Sequence, residues 1–542
     1  MIGLQVFPHS LPSQEHKKGE NMGEITKTAF IGIDAGTTGA TVAIYDEKGN
    51  ELAIGYKEYA CTFPRAGWVE QDLTDVWKGI CAASKQAIKA AGLTASSYKS
   101  VGFSSQRGTF GLLDGAKQAL APSIVWNDGR AQAYEAKFGE SMSAKDYQAH
   151  TGMPLAAAWS AAKIAWIRDN RPDIFEKTRW VVNGQEYFLK LLGAEDWTTD
   201  PASLTLNGMM DIRKLDWSDQ VLKLCGLTRD MVPPVGKTAA QAGVVSKVAA
   251  AATGIPAGTP ICRGAGDQQC AAIGAGIIKQ GMAEFTIGTS AVMVAHVDSV
   301  DRVTGDKLFL GGHGVPGMWD LEGAAFAAGV CLRWWRDILG LPEQSQAKKQ
   351  KRSPYSVMVD LAMQAPAGAK GLIYHPFMQG QVTPYYDVTA KAGYLGLRLD
   401  HDRADIIRAV LEGVANEMRM IVDTFQTGMK GGVTEFRLTG GGTKSAGFVQ
   451  IMTDVIGVPA GVPKVRECTV LGAAILGAVG AGQFSSVAEA AAAMVSLESM
   501  VEPTRSTRAL YEDQHELFKA GYVSLKQGGA YQAMYDYNAK YF

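Results

Sequence analysis

Asp34-Ala35-Gly36-Thr37-Thr38-Gly39-Ala40 joins two short alternating-apolar runs, Phe30 to Ile33 and Thr41 to Tyr45, and reads as strand, glycine turn, strand. A Lys48-Gly49-Asn50 turn and a third strand-like run from Glu51 to Tyr59 follow, setting the loop within an antiparallel meander. That setting excludes two familiar nucleotide loops. Walker and Rossmann loops lead from a strand into a helix, and the GxxxxGK and GxGxxG patterns are absent from this one. At Gly36 the missing Cβ lets backbone N–H groups approach a polyphosphate; Thr37 and Thr38 supply hydroxyl donors, and Asp34 can orient a Mg²⁺-bound water. An ordinary hairpin with an acidic turn residue fits the same stretch.

Glycine-rich turns recur later. Thr286-Ile287-Gly288-Thr289-Ser290 follows a strand-like start at Ala283, and Leu438-Thr439-Gly440-Gly441-Gly442-Thr443 precedes a helical pattern from Phe448 to Ile456. Three such turns suit one extended ligand. Two longer stretches complete the pattern: Ser160-Ala161-Ala162-Lys163-Ile164-Ala165-Trp166-Ile167-Arg168-Asp169-Asn170, and Gly393 to Leu397 continuing through Asp405-Ile406 to Ala409-Val410-Leu411-Glu412. In these segments, from about residue 29 to residue 500, the chain resembles the FGGY carbohydrate kinases of the actin-like ATPase superfamily.

The resemblance implies an α/β fold of two ribonuclease-H-like domains around a central cleft. Residues 29–273 would carry the sugar site and the base, and residues 274–542 the nucleotide site, after a flexible extension over residues 1–28. The run from Gly281 to Val297 has the character of the strands around Asp34, an apolar stretch broken by Gly-Thr, as two related domains would require.

Composition agrees with a large cytoplasmic enzyme. The 542 residues are 46% hydrophobic, enough for two or three domains with their own cores. The net charge of −1, with no basic run longer than Lys348-Lys349-Gln350-Lys351-Arg352, gives no footing to a nucleic-acid partner or an acidic membrane surface. Seven widely spaced cysteines without a CxxC pair read as free thiols in a reducing compartment. Met1 to Pro12 lacks the charged start of a secretory signal, and the Ala-rich segments such as Ala488 to Met494 are too short to span a bilayer.

Phosphorylating an alcohol needs a group to receive the hydroxyl proton, and a carboxylate is the simplest. Asp267 is the candidate: it follows a strand-like run and two glycines and opens a helical run, Gln268 to Ile278, whose positive end favours the ionised form. A plain N-cap aspartate is the alternative. Gly266-Asp267-Gln268-Gln269 resembles the family's catalytic segment, in which the aspartate is the base, and Gln268 joins the acceptor set with it.

Specificity is expected at Ser104-Ser105-Gln106-Arg107-Gly108-Thr109. Gln106 and Arg107 resemble the glycerol kinase version, in which Arg and a following Glu bind polyol hydroxyls, but Gly108 stands where that Glu would be. Arg107 can still donate several hydrogen bonds to a polyol. Trp126-Asn127-Asp128-Gly129-Arg130 resembles the xylulokinase segment whose tryptophan walls the sugar's carbon face. Ala158 replaces the tyrosine of glycerol kinases, and Gln381-Val382 replaces a Glu-Arg pair of pentulose kinases.

The nucleotide set implied by the resemblance is Asp34, Gly36, Thr37, Thr38, Gly288, Thr289, Gly329, Arg333, Gly441, Gly442 and Ala446, the last standing where glycerol kinases use Asn. Asp34 is the expected metal-side residue. The expected reaction is transfer from ATP with Mg²⁺ to a small sugar or polyol, first a ketopentose such as xylulose, with glycerol, erythritol or an autoinducer-2-type acceptor as alternatives. A sugar-sensing actin-like ATPase is the non-kinase alternative. Family members differ in assembly, and a homodimer is among the expectations.

Overall fold

The computed structural model describes residues 27–541. The extension expected over residues 1–28 therefore lies outside the described residues, except for Lys27 and Thr28. Strands β1 (Ala29–Ala35), β2 (Gly39–Tyr45) and β3 (Glu51–Glu58) form the meander, with β1 antiparallel to β2 from Phe30↔Tyr45 to Ala35↔Ala40. On its other edge β1 runs parallel to β4 (Tyr98–Ser105). Beyond β4 lie β5 (Gln241–Val244) and β6 (Pro260–Gly266), giving the order β5-β6-β4-β1-β2-β3. Ile31, Ile33, Val42, Ile44, Val101 and Phe103 are buried on one face and Phe30, Ala43 and Tyr45 on the other; branched and aromatic residues suit the pleat of a central sheet.

A second sheet repeats this plan. β7 (Met282–Ile287) and β8 (Ala291–Val297) are antiparallel across the Gly288-Thr289 turn, followed by β9 (Phe309–Gly312) and β10 (Trp319–Ala325). β11 (Glu435–Thr439) lies parallel to β7, then β12 (Ala460–Pro463) and β13 (Leu497–Val501), for an order β9-β10-β8-β7-β11-β12-β13. In both sheets the first strand turns back on an antiparallel second and is flanked on its other side by a parallel strand. The sequence hinted at this repeat only through the Gly-Thr turns.

Six helices position the site: α1 (Ser160–Asn170), α2 (Asp267–Gly274), α3 (Gly329–Ile338), α4 (Arg403–Gly428), α5 (Ala446–Ile456) and α6 (Cys468–Gly480). α2 is shorter than the expected run to Ile278, because the backbone turns left-handed at Gly276 (φ +85°). α5 starts two residues before the expected Phe448, where the Ser445 side chain accepts from the Phe448 N–H. Asp402 and Asp405 close a capping box at the start of α4.

The expected division between residues 273 and 274 does not follow the packing of α6. That helix, late in the chain, lies on the first sheet: Val470, Leu471, Ala473 and Ala474 share a buried cluster with Phe30, Ala43, Cys270 and Ile273. The approach is close enough that a Cβ on Gly102 of β4 would stand 1.8 Å from the Ala473 carbonyl oxygen. All seven cysteines are free, five of them buried. Among the described residues no helix is long and apolar enough to cross a membrane.

Candidate active site

The C-terminal ends of β1, β4 and β6 lie side by side, and there Asp34 on β1, Gln106 and Arg107 after β4 and Asp267 at the start of α2 come together. Gly266 takes the N-cap position of α2, so Asp267 is the first helical residue rather than the cap. Its Oδ1 accepts the Gln268 backbone N–H at 2.9 Å and the Arg107 Nε–H at 3.2 Å. Oδ2 accepts no hydrogen bond among the described residues. Burial raises the Asp267 carboxyl above its ordinary range, and the Arg107 charge opposes that rise. The side-chain oxygen of Gln268, the next residue, is buried without a hydrogen-bond partner.

Asp34 accepts the Ser104 hydroxyl at 2.8 Å. Burial and the neighbouring Asp267 charge push its carboxyl up to about 7. A cation at this point would favour the ionised form of both carboxylates. The described residues contain no group of three or more His, Cys, Asp or Glu able to hold a metal by themselves, so a metal here would rest mainly on nucleotide phosphates, with Asp34 contributing through water.

Thr37 is engaged differently from the expected phosphate contact. Its hydroxyl donates to Gln106 Oε1 at 2.9 Å and accepts the Trp126 indole N–H at 3.0 Å. Gln106 Nε2 donates to Gln71 Oε1 at 2.7 Å, and Gln71 Nε2 returns to the Thr37 carbonyl at 2.9 Å, closing a ring. The indole of Trp126 remains 43% exposed, leaving a face for C–H groups. Fully buried Lys163 on α1 donates to the Val125 and Trp126 carbonyls and fixes that segment from behind; burial lowers the Lys163 ammonium to about 7.

Of the other expected nucleotide residues, Gly288, Thr289, Gly329 and Gly442 gather around the end of β7. Gly288 and Thr289 are exposed at the β7–β8 turn. The Gly329 N–H donates to the Gly288 carbonyl at 3.0 Å and the Val330 N–H to that of Thr289 at 3.1 Å, joining the start of α3 to this turn. A Cβ on Gly329 would stand 2.3 Å from the Gly288 oxygen, and one on Gly442 would stand 2.8 Å from Ile287 Cγ2. Gly441 faces open space. Gly36 is half-buried and Thr38 exposed in the first turn, between β1 and β2. Arg333, one turn into α3, and Ala446, the first residue of α5, are exposed and make none of these contacts.

Three residues escaped the sequence reading: Gln71, Lys163 in its present role, and Glu322. Glu322 on β10 takes both terminal nitrogens of Arg107, Nη1 to Oε1 and Nη2 to Oε2, the latter at 2.9 Å. The pair is 215 residues apart in sequence. Its one legible signal was two carboxylates, Asp320 and Glu322, two residues apart in an otherwise strand-like run; both are buried and so require partners.

Residues 29–274 match the FGGY family of carbohydrate kinases, N-terminal domain, and residues 283–481 match its C-terminal domain. The chain is 30% identical over 506 residues to an autoinducer-2 kinase of Klebsiella pneumoniae, covering 91% of this chain and 93% of that protein. A glycerol kinase of Deinococcus radiodurans is 28% identical over 475 residues, with 84% and 90% covered. A xylulose kinase structure from Rhodospirillum rubrum superposes with a TM-score of 0.83 at 26% identity, covering 92% of this chain and 99% of its own.

Proposed function

Because the chain belongs to the FGGY family of carbohydrate kinases, we propose that the acceptor hydroxyl is activated by Asp267 and that the acceptor is a ketopentose such as xylulose. The protein is a phosphotransferase with an alcohol acceptor and ATP as donor. One observation carries the residue assignment: Asp267 holds one oxygen against Arg107 and the α2 backbone and leaves the other free, and the side-chain oxygen of Gln268, the next residue, is unpartnered.

As the acceptor oxygen attacks the γ-phosphorus and the bond to the ADP oxygen breaks, Asp267 Oδ2 takes the hydroxyl proton. Arg107 and Gln268 orient the acceptor, with the exposed Trp126 face against its carbons. Gly36, Thr38, Gly288, Thr289, Gly329, Gly441 and Gly442 present backbone and hydroxyl groups to the nucleotide. Mg²⁺, when bound, neutralises charge on the transferring phosphates, and Asp34 is the residue that would hold it through water.

The ketopentose choice rests on the Trp126 to Arg130 segment and on the loop at Gly108. There the backbone is left-handed (φ +68°), and a Cβ would stand 3.2 Å from Leu206 Cβ. A glutamate of the glycerol kinase kind would be strained in this loop. Ala158 is exposed and leaves room where that family places a ring. The autoinducer-2 kinase relative keeps that acceptor in the comparison. The test is ADP release with Mg-ATP across glycerol, erythritol, xylulose, ribulose and an autoinducer-2 precursor, for the parent and Asp267→Asn. Stimulation by xylulose, lost in the variant, is expected. Stimulation by another acceptor replaces the ketopentose, and turnover indifferent to every sugar sinks the kinase assignment in favour of a sugar-sensing ATPase.

A further inference from the structure

Arg107 lies between two carboxylates that come from different halves of the chain. Its stem crosses the bare Cα of Gly266, where a Cβ would stand 2.2 Å from Arg107 Cδ, so the guanidinium is led past the start of α2 toward the second sheet. There Glu322 meets it as a bidentate partner, while only Nε reaches Asp267. The side chains of Arg107 and Glu322 are each 4% exposed, against 32% for Asp267. Gln269 on α2 steadies the second-sheet side, donating Nε2 to Asp320 at 2.8 Å and to Glu322 at 3.3 Å.

A guanidinium has five N–H donors in a rigid fork. Three are used here, one on Asp267 and two on Glu322, which leaves two for acceptor hydroxyls. Arginine pairs best with carboxylates through two parallel bonds. With Glu322 gone, two carboxylates compete for the freed terminal nitrogens: Asp320, whose Oδ1 is buried without a partner, and Asp267, already bonded to Nε; on Asp267 the second bond would fall on Oδ2, the oxygen that must receive the hydroxyl proton.

We propose that Glu322 is a positioning residue for phosphoryl transfer: reaching from the second sheet, it holds both terminal nitrogens of Arg107 and so keeps Asp267 Oδ2 open to the acceptor. The acceptor site is then built from both halves, and it is complete only when β10 stands against the loop after β4. This rests on the reading of Asp267 as the base.

The experiment is steady-state kinetics of the full chain with Mg-ATP and an equimolar pool of glycerol, erythritol, xylulose, ribulose and an autoinducer-2 precursor, titrated as one acceptor. The variants are Glu322→Gln, Glu322→Asp, Arg107→Gln, the Arg107→Gln/Glu322→Gln double and Asp267→Asn. Glu322→Gln is expected to lower kcat by about a hundredfold, the low end of what an obstructed general base costs, and to raise the KM of the pool while leaving that of ATP unchanged. Glu322→Asp should recover part of kcat. The double variant should turn over faster than Glu322→Gln, because no guanidinium remains to cover Asp267. Parental kcat and KM in Glu322→Gln, or a double variant whose loss is the product of the two single losses, would overturn the proposal.

Should Glu322→Gln not fold, the double variant against Arg107→Gln decides, since removing both partners of a buried pair is milder than removing one. With Arg107 absent Glu322 has nothing to hold, so a further large loss refutes its role and an unchanged kcat supports it. Failure of the base reading looks different: Asp267→Asn would then keep parental turnover, or the pool would not stimulate the parent at all, and the proposal falls with it.

Discussion

The two sides of the site are made from different material. On the proposed acceptor side Gln106, Arg107, Trp126 and Asp267 are tied to partners by their side chains, and Gln106 and Arg107 are buried. On the proposed nucleotide side Thr38, Gly288, Thr289 and Gly441 are exposed, and what fixes Gly288 and Thr289 is backbone: the Gly329 and Val330 N–H groups bonded to the β7–β8 turn. An acceptor must be told from its isomers, which calls for oriented polar groups held by others. A polyphosphate is the same in every turnover, and bare backbone shaped by glycine suffices for it.

The contrast is open to attack at its strongest point first. Asp267→Asn is expected to lower kcat by about 10²- to 10⁴-fold with the KM for ATP unchanged; a large rise in ATP KM would show that the two sides are not separable at this residue. Gly329→Val comes next. Its side chain would collide with the Gly288 carbonyl, and the KM for ATP should rise about tenfold, equivalent to ~1.4 kcal/mol of binding, with the acceptor KM kept. A change confined to acceptor KM would contradict the backbone account.

Thr37→Val sharpens the boundary between the sides. It removes the partner of the Trp126 N–H and of Gln106, a loss of about 1 kcal/mol, so the acceptor KM should rise roughly fivefold while ATP KM moves less; the reverse order would return Thr37 to the phosphates. The smallest effect concerns the second half. Both oxygens of buried Glu417 on α4 lack partners, and burial raises its carboxyl to about 8 from 4.5. A raised acid means that the folded state binds the extra proton, so the stability of the protein should fall as pH rises from about 4.5 to about 8. Glu417→Gln should shrink that fall, by a few degrees of Tm for a chain this size. Parallel melting curves for parent and variant at pH 6 and pH 9 would remove Glu417 from the account.

What the sequence made legible is local. Alternation around Gly36 placed the meander within a residue or two, and the strand-glycine-aspartate order placed Asp267 at the head of a helix. The family resemblance put both in one kinase, and the match of residues 29–274 and 283–481 agrees with it. What stayed hidden is long-range. Thr37 looks like a free hydroxyl in any one-dimensional reading, because its partners Gln106 and Trp126 are 69 and 89 residues away. Glu322 sits in an apolar strand pattern and reveals its purpose only when β10 faces Arg107. Buried Lys163 falls inside the helical signature, but periodicity cannot say that its ammonium ends on the carbonyls behind Trp126.

The return of α6 to the first sheet has a consequence for how the molecule is made. A ribosome that has released residues 29–274 has delivered every strand of that sheet, yet the surface at Gly32 and Gly102 stays bare until Cys468–Gly480 emerges. Until then the first half has an uncovered apolar face, and its completion waits on most of the second half. A chain cut short anywhere before Cys468 therefore lacks the helix that covers this face of the first sheet.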